Sequence, residues 1–426
     1  MSSKKKKGPW LIIFIIILAF IIGNLTGKES GIFGITYFSI FDLIGTLFIR
    51  ALTLVVVPLV LSSIISGISR IAGDASFKSI SIKTLSFYVL TTLSAVLIGL
   101  FSVHIFQPGN SETLRLSVQS QDIQAVGEHL AAHEFGITHL ILSIVPSNIL
   151  DALSKGEMLA LIFFALLFGY GLSKTSGEGS QTIKNAFQGL FDVMIKITQL
   201  IMKCLPLGVF CLVAKVAAST GFKSLSSLAL FFITVLLALL VFSLIVLPLL
   251  LKFIGKVSPL THFKAVAPAL ITAFSTSSSS ATLPITMECV EKRAGVSNRI
   301  CSLVIPLGNS LNMAGSALYE CVGALFIAQI YGLELTFSAQ AIFVLLSLLT
   351  SMGVAGIPAA SLVAIVVILK AFGLPVEGIG LFLAVDRILD MCRTTVNVLS
   401  DTCCAVLVAK SEGEKNILTQ TNFDLL

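Results

Sequence analysis

Five polar residues near the C-terminus share one side of a predicted apolar helix. They are Asp386, Asp390, Arg393, Asn397 and Asp401, and at about 100° per residue their side chains lie within an arc of about 80°. Ionisable groups at membrane depth cost roughly 2.5–3.5 kcal/mol each on insertion scales, so they turn inward and usually mark a substrate or ion pathway. Three acids, a guanidinium and an amide on one face can bind a zwitterion together with small cations. The alternative, a soluble amphipathic helix with a charged outer face, does not fit the apolar surroundings.

The composition is typical of a polytopic membrane protein. Of the 426 residues, 56% are hydrophobic and 12% are charged, against about 25% charged in soluble domains. No small-residue cleavage pattern follows the first apolar stretch, which predicts an uncleaved first helix rather than a signal peptide. Eight stretches approach the spanning length of about 20 residues; they lie at 10–26, 41–69, 84–107, 136–173, 190–213, 225–251, 296–330 and 375–409.

The distribution of lysine and arginine predicts that both termini are cytoplasmic. Lys4 to Lys7 precede the first stretch, while the loop at 108–135 on the opposite side carries one arginine and four acids. We interpret the net charge of +6 as a consequence of this topology and of attraction to anionic membrane lipids. Nucleic-acid binding is not expected, because no basic stripe is interleaved with aromatic residues. The expected location is a plasma membrane or a bacterial inner membrane.

Cysteine and histidine patterns predict neither a zinc site nor a disulfide framework. The eight cysteines lack C-x-x-C spacing, and the five histidines lie in loops or near the ends of the apolar stretches. We therefore interpret the cysteines as small packing residues. No cofactor and no enzymatic activity are expected.

Two segments of the C-terminal half are predicted to form re-entrant hairpins. In 262–290, two apolar arms too short to span a membrane flank the polar run Ser275–Ser280. In 338–372, the arms meet at Ser351–Ser361, whose glycine and proline residues cannot continue a helix. A serine run is usually a flexible linker, but the apolar arms favour a tip whose hydroxyls and free amides bind a carboxylate. Because a long apolar stretch follows each hairpin, the pattern is typical of repeat-built transporters with a midplane site.

The seventh apolar stretch is interrupted by a small, polar cluster at Asn312–Ser316. Gly315 alone is compatible with a packing position. Together with Asn312 it predicts unwound backbone whose carbonyl oxygens coordinate a cation, because sodium needs hard oxygen donors.

Four motifs resemble, in the same order, those of the glutamate/aspartate transporters of the dicarboxylate/amino acid:cation symporter family. The resemblance extends from Pro58 to about Lys410, and inverted repeats are known in this family. The motifs are Ser277–Pro284 (SSSSATLP), Asn312–Tyr319 (NMAGSALY), Ala355–Ser361 (AGIPAAS) and Asp390–Asp401 (D-x-x-R-T-x-x-N-x-x-x-D).

The resemblance implies an all-α membrane protein with eight transmembrane helices and two re-entrant helical hairpins. It implies an inverted-repeat, elevator-type transporter that forms a homotrimer, with spans 1, 2, 4 and 5 as the scaffold and spans 3 and 6 in the mobile domain. We divide the chain accordingly. Residues 1–255 hold helices 1–6, residues 256–412 hold the substrate- and cation-binding core of both hairpins with helices 7 and 8, and residues 413–426 form a cytoplasmic tail.

The resemblance also implies a substrate pocket. Asp390 would bind the substrate amino group and Arg393 its side-chain carboxylate. This division agrees with the chemistry, because a planar guanidinium pairs with a carboxylate through two hydrogen bonds. The other implied pocket residues are Ser279, Ser316, Ile357, Ser361, Thr394 and Asn397.

Three sites for sodium, the coupling ion, follow from the same resemblance. Backbone carbonyls dominate the first two sites, and only the first contains a carboxylate. The sets are, in order, Gly308, Asn312, Asn397 and Asp401; Ser310, Ser351, Met352 and Val354; and Tyr88, Thr91, Thr92 and Asn312.

The chain departs from the family pattern at several positions. Ala314 replaces an aspartate, which removes the negative charge of the third sodium site, and Ser361 replaces a glycine. Met391 and Ser277 occupy the two positions at which relatives carry a second arginine. Glu320 matches the glutamate that carries a proton in proton-coupled relatives; the alternative is a structural ion pair.

These features together predict secondary active symport of an acidic amino acid, glutamate or aspartate, with sodium and with protons as a further coupling ion. Asp390 favours an α-amino group, and Arg393 favours an acidic side chain. The alternative within the family is a carrier of C4-dicarboxylates or small neutral amino acids. An ion channel is a second class, because re-entrant hairpins also suit a selectivity filter. An intramembrane serine hydrolase is a third, but no histidine or lysine lies close to the serine run to act as a base.

Overall fold

The computed structural model describes residues 9–32, 35–71, 78–110, 145–155, 158–220, 224–333, 336–351, 361–381 and 383–419. Helices form almost all of the regular structure in these ranges. The exception is a ladder of two-residue antiparallel strands, β1 (Gly31–Ile32) and β2 (Ile35–Thr36). The N-terminal helices are α1 (Pro9–Thr26), α2 (Tyr37–Ile71), α3 (Lys78–Phe106), α4 (Ile149–Lys155), α5 (Met158–Lys174), α6 (Glu178–Lys203), α7 (Leu205–Thr220), α8 (Ser224–Val241) and α9 (Leu247–Phe253).

The C-terminal half contains shorter helices joined by tight breaks. A π-helical turn at Phe242–Val246 joins α8 to α9, and a second one at Cys289–Arg293 extends α11. A 3₁₀ turn at Val376–Leu381 precedes the last helix. The helices are α10 (Pro259–Thr276), α11 (Ser279–Glu288), α12 (Asn298–Leu311), α13 (Ala314–Ile330), α14 (Phe337–Ser351), α15 (Ser361–Ala371) and α16 (Leu383–Ser411).

Three helical segments of the described ranges are long and apolar enough to cross a membrane: Ser79–Phe106, Leu228–Phe253 and Asn298–Ile330. They coincide with the third, sixth and seventh predicted stretches, and the bent pair α6 and α7 would add a fourth. The fourth predicted stretch is described only from residue 145 onward. The count of eight spans therefore stays a prediction.

The fifth predicted stretch, 190–213, is bent within the described residues. α6 and α7 meet near Cys204 at an angle of 55°. Pro206 in the first turn of α7 has no amide hydrogen and its ring crowds the preceding turn, which favours a break between α6 and α7 at this point.

α10 and α11 form a helical hairpin with a shorter turn than predicted. Helix extends into both ends of the 275–280 run, so only Ser277 and Ser278 are non-helical. Ser277 is left-handed, with φ of 50°, a conformation that is uncommon outside glycine. Ser278 caps α11 because its hydroxyl accepts the amide of Ala281 at 3.2 Å.

The two arms of this hairpin run antiparallel. At its open end, Nη2 of Arg293 donates to the carbonyl of Lys264 at 3.3 Å. The second predicted hairpin corresponds to α14 and α15, which contact each other and α13. Its tip, with Met352, Val354 and Ile357, lies outside the described residues.

The break in the seventh stretch is also narrower than predicted. α12 ends at Leu311, Asn312 and Met313 are non-helical, and α13 begins at Ala314. Gly315 and Ser316 therefore lie in the first turn of a helix rather than in unwound backbone. The amides of that first turn have no intrahelical acceptor, which leaves them available to the site described below.

Most helix contacts fall into two groups, with smaller contacts between them such as α2 with α15 and α7 with α16. α2 contacts α5, α6 and α7, and α1 contacts α7. In the other group α13 contacts α3, α14, α15 and α16, while α10 and α12 pack on α16. α13 is buried on all sides, as expected for a helix that is apolar around its circumference. The polar side of α16 therefore faces the interior of this second group.

The residues after α16 fold back onto the molecule. Glu412 accepts hydrogen bonds from Lys83 and Ser79 at the start of α3. The hydrogen bond and charge of Lys83 lower the pKa of Glu412 below its ordinary value of 4.5, so this contact persists at neutral pH. Glu414 accepts both the amide and the hydroxyl of Ser297, the residue that precedes α12. Glu412, the last residue of the predicted core, thus contacts the start of α3, and Glu414 of the predicted tail contacts the residue before α12.

Candidate functional site

Arg393 is the centre of a buried charged cluster on α16. Its side chain is 0% exposed, and its Nη2 lies 2.9 Å from Oδ1 of Asp390 and 3.1 Å from Oδ1 of Asp386. The guanidinium carbon lies 3.8 Å from the ring centroid of Tyr319 on α13. The hydroxyl of Tyr319 donates to Asp386 at 2.8 Å. Stacking from one side and two carboxylates at one nitrogen fix the plane of the guanidinium.

Two donors of Arg393 remain available. Within the described residues, Nε and Nη1 are buried and have no hydrogen-bond partner. A buried charged donor without a hydrogen-bond partner costs free energy, and a carboxylate is an anion that accepts hydrogen bonds from a guanidinium. The guanidinium can therefore donate single hydrogen bonds to a ligand carboxylate through Nε or Nη1, while Nη2 contacts Asp386 and Asp390.

Asp390 lies between two arginines. Its Oδ1 faces Arg393, and its Oδ2 lies 3.6 Å from Nη1 of Arg387. Neither Arg387 nor Tyr319 was predicted from the sequence to belong to this site. The i, i+3 spacing of Arg387 and Asp390 on a predicted helix was the available signal for Arg387, whereas Tyr319 is brought to the cluster only by the packing of α13 on α16.

Asn397 connects α16 to the start of α13. Its Oδ1 accepts the amides of Gly315 at 2.8 Å and Ser316 at 3.2 Å, and its Nδ2 donates to the Ser316 hydroxyl at 3.1 Å. A Cβ at residue 315 would lie 2.8 Å from the carbonyl oxygen of Arg393. Glycine is therefore required here by the close approach of the two backbones.

Three of the remaining predicted pocket residues, Ser279, Ser361 and Thr394, are buried. Thr394 follows Arg393 on α16, and Ser361 begins α15. Ser279 is the first residue of α11, where backbone amides lack intrahelical acceptors and favour an anion. Ile357 lies outside the described residues.

A second polar cluster surrounds the break between α12 and α13. Oδ1 of Asn312 accepts hydrogen bonds from Thr91 at 3.0 Å and Thr92 at 3.3 Å, both on α3. Its Nδ2 donates to Oδ1 of Asp401 on α16 at 2.9 Å and to the Ser400 hydroxyl at 3.1 Å. The break in the seventh stretch thus joins α3 to α16 through one amide side chain.

The carboxylate of Asp401 approaches the backbone of α12 closely. A Cβ at Gly308 would lie 2.5 Å from Oδ1 of Asp401 and 3.0 Å from the hydroxyl oxygen of Tyr88. Tyr88 itself donates to the carbonyl of Val304. Only glycine at residue 308 leaves room for this arrangement, in which carboxylate, phenol and backbone oxygens converge.

The donor set of this cluster fits sodium. Gly308, Asp401, Asn312, Tyr88, Thr91 and Thr92 all contribute hard oxygen atoms. Ser310 belongs to the last turn of α12, whose carbonyls lack intrahelical partners, and Ser351 is buried at the end of α14. Met352 and Val354 lie outside the described residues. Ala314 is fully buried and supplies no charge.

Glu320 is a separate buried acid on α13. Its Oε2 accepts a hydrogen bond from the hydroxyl of Thr350 on α14 at 3.0 Å. The Ser361 side chain and the charge of Arg393 also interact with the carboxyl group. No cation of the described residues lies within 4.0 Å of it, and Oε1 has no hydrogen-bond partner among them. The structural ion pair that we considered as an alternative is therefore absent from this part of the chain.

The fold and these clusters define an all-helical membrane transporter. The sodium:dicarboxylate symporter family model matches residues 11–411, and the chain belongs to this family. It is 35% identical over 414 residues to a proton/glutamate-aspartate symporter of Escherichia coli, covering 97% of this chain and 94% of that protein. It is 36% identical to a proton/sodium-glutamate symport protein of Geobacillus stearothermophilus, covering 88% of each. Excitatory amino acid transporter 3 of Mus musculus is 32% identical, with 95% of this chain and 86% of that protein covered.

Proposed function

We propose that this protein is a secondary active symporter that carries glutamate or aspartate together with cations across a membrane. The observation that carries the proposal is the buried guanidinium of Arg393, which has two unsatisfied donors and lies 2.9 Å from the carboxylate of Asp390. A guanidinium and a carboxylate side by side are complementary to an amino acid that bears a second carboxylate. The names of the relatives support the same substrate class.

The substrate would bind with its side-chain carboxylate on Arg393 and its amino group on Asp390. Thr394, Asn397 and Ser316 would complete the polar wall of the pocket. The amides at Ser279 would bind the α-carboxylate, because the start of α11 favours an anion. Ser361 and Ile357 would close the pocket from the second hairpin.

The cluster around Asn312 would hold the coupling sodium ions. The carboxylate of Asp401 favours a cation in the first site, whereas the third site depends on neutral Tyr88, Thr91 and Thr92 because residue 314 is alanine. Dehydrating a cation costs several kcal/mol, and neutral ligands offset only part of this cost. Coupling to about two sodium ions is therefore expected, and Glu320 would carry a proton in the loaded state.

We further propose the architecture that the motifs imply: eight transmembrane helices, two re-entrant hairpins and an elevator movement within a homotrimer. The scaffold would be formed by helices 1, 2, 4 and 5 of residues 1–255, and the mobile core by residues 256–412 with helices 3 and 6. The extensive packing of α2 with α5, α6 and α7 supports this division. Both termini, including the tail at 413–426, would be cytoplasmic, in a bacterial inner membrane or a plasma membrane.

Counterflow in proteoliposomes tests this function. Vesicles loaded with unlabelled glutamate should accumulate labelled aspartate when sodium is present on both sides. An ion channel conducts without exchange, so saturable counterflow separates the two classes. A protein that shows sodium current but no counterflow would refute the proposal.

A further inference from the structure

Arg387 lies three residues before Asp390 on α16 and belongs to none of the binding sets described above. Its Nη1 is 3.6 Å from Oδ2 of Asp390, and its side chain is 18% exposed. Within the described ranges its Nε is buried without a hydrogen-bond partner. A second arginine therefore lies near Asp390, the proposed partner of the substrate amino group. Met391 and Ser277 occupy the two positions at which relatives carry a second arginine.

The two oxygens of Asp390 face different guanidinium groups. Oδ1 is hydrogen-bonded to Arg393 at 2.9 Å, whereas the 3.6 Å separation between Oδ2 and Arg387 exceeds a hydrogen bond. The second contact is therefore a charge interaction without fixed geometry. Asp386, Asp390, Arg387 and Arg393 thus form a cluster of two acids and two arginines.

The ammonium group of a bound amino acid would be hydrogen-bonded to Asp390, whose Oδ2 faces Arg387. Oδ1 is hydrogen-bonded to Arg393, and an ammonium that binds at Oδ2 meets the charge of Arg387, whose Nη1 lies 3.6 Å from that oxygen. An ammonium at Oδ2 replaces the charge of Arg387, whereas a ligand without an amino group leaves Arg387 in place to balance Asp390. The two kinds of ligand therefore respond in opposite ways to the charge at residue 387.

We propose that Arg387 is an exchangeable counter-charge for Asp390 that sets the preference between acidic substrates with and without an α-amino group. It is a positioning residue that acts through Asp390. The inference rests on the function proposed above. Arg387 lowers the free-energy cost of binding a ligand without an ammonium group beside Asp390. It competes for Asp390 with the ammonium group of a ligand that has one.

The test compares inhibition of labelled glutamate uptake by aspartate and by succinate, which lacks the amino group. In Arg387→Gln, Asp390 keeps an unbalanced charge that attracts the ammonium of aspartate and repels succinate. The ratio of the inhibition constants, succinate over aspartate, should rise at least about tenfold over that of the unaltered protein, or about 1.4 kcal/mol. Arg387→Met, a second neutral variant, should do the same if the glutamine variant fails to fold.

Two controls separate this role from a structural one. Arg387→Lys keeps the charge and should leave the ratio within about threefold of the original, while Arg50→Gln removes an exposed arginine on α2 and should not change it. If both inhibition constants change in parallel in Arg387→Gln or Arg387→Met, or if succinate does not inhibit the unaltered protein at all, the inference is overturned. Failure of that protein to take up glutamate contradicts the proposed function instead.

Discussion

Replacing Arg393 by cysteine should abolish transport of acidic amino acids while preserving the fold. The substitution removes the two donors, Nε and Nη1, that we assign to the substrate side-chain carboxylate. It also removes the nitrogen shared by Asp386 and Asp390. Each acid keeps a partner, because Tyr319 still donates to Asp386 and Arg387 still lies 3.6 Å from Asp390.

The expected magnitude follows from the burial of the pair. Arg393 is 0% exposed, so a ligand carboxylate placed there without it is a buried, unpaired charge. Removing one partner of a buried pair costs about 3–5 kcal/mol, which corresponds to more than about a hundredfold loss of affinity. A ligand with a neutral side chain does not incur this penalty, so uptake of alanine or serine should be retained or gained.

The assay is competition of glutamate, aspartate, alanine and serine against labelled substrate in proteoliposomes. Arg50→Cys is the matched control, because it introduces the same side chain at an exposed arginine of α2. Size-exclusion chromatography of the solubilised variants establishes that both are folded. Acidic uptake by Arg393→Cys at the level of the control would refute the assignment of Arg393 to the substrate carboxylate.

Four other substitutions test separate parts of the account. Asp390→Ala should abolish uptake of amino acids but reduce binding of succinate much less, as measured by competition; an equal loss of both would make Asp390 structural. Ala314→Asp should steepen the sodium dependence of uptake by restoring an anionic ligand beside Asn312, and an unchanged sodium dependence would contradict a weak third site. Glu320→Gln should remove the effect of a pH gradient on uptake, and persistent pH-driven uptake would exclude it as the proton carrier. Glu414→Ala should destabilise the start of α12 by about 0.5–2 kcal/mol through loss of a capping contact, seen as faster amide exchange near residue 298, and unaltered exchange there would exclude a capping role.

Periodicity and composition predicted the polar side of α16 and the locations of both breaks in the C-terminal half. The polar side was predictable because charges in an apolar helix must face inward. The extent of each break was not, since Ser277 takes a left-handed conformation that sequence favours only weakly. At 312–316, packing of Gly315 against α16 lets the helix resume earlier than the small residues suggested.

The charged cluster itself was only partly predictable. Asp390 and Arg393 followed from spacing on one helix, and their assignment to a substrate followed from family motifs. Tyr319 required tertiary structure, because its phenol reaches the carboxylate of Asp386 only when α13 packs on α16. The bend between α6 and α7 was not predicted, because the apolar pattern of 190–213 continues across it; Pro206 in the first turn of α7 marks its position.

The most direct test of the central claim is the reversal potential of aspartate uptake in proteoliposomes with imposed sodium, pH and aspartate gradients. Coupled symport predicts that aspartate accumulates against its own gradient when sodium enters, with a reversal potential that corresponds to about two sodium ions per substrate because residue 314 is uncharged. A potential that requires three sodium ions would contradict the proposed stoichiometry. A flux that always follows the aspartate gradient, whatever the sodium gradient, would contradict symport itself.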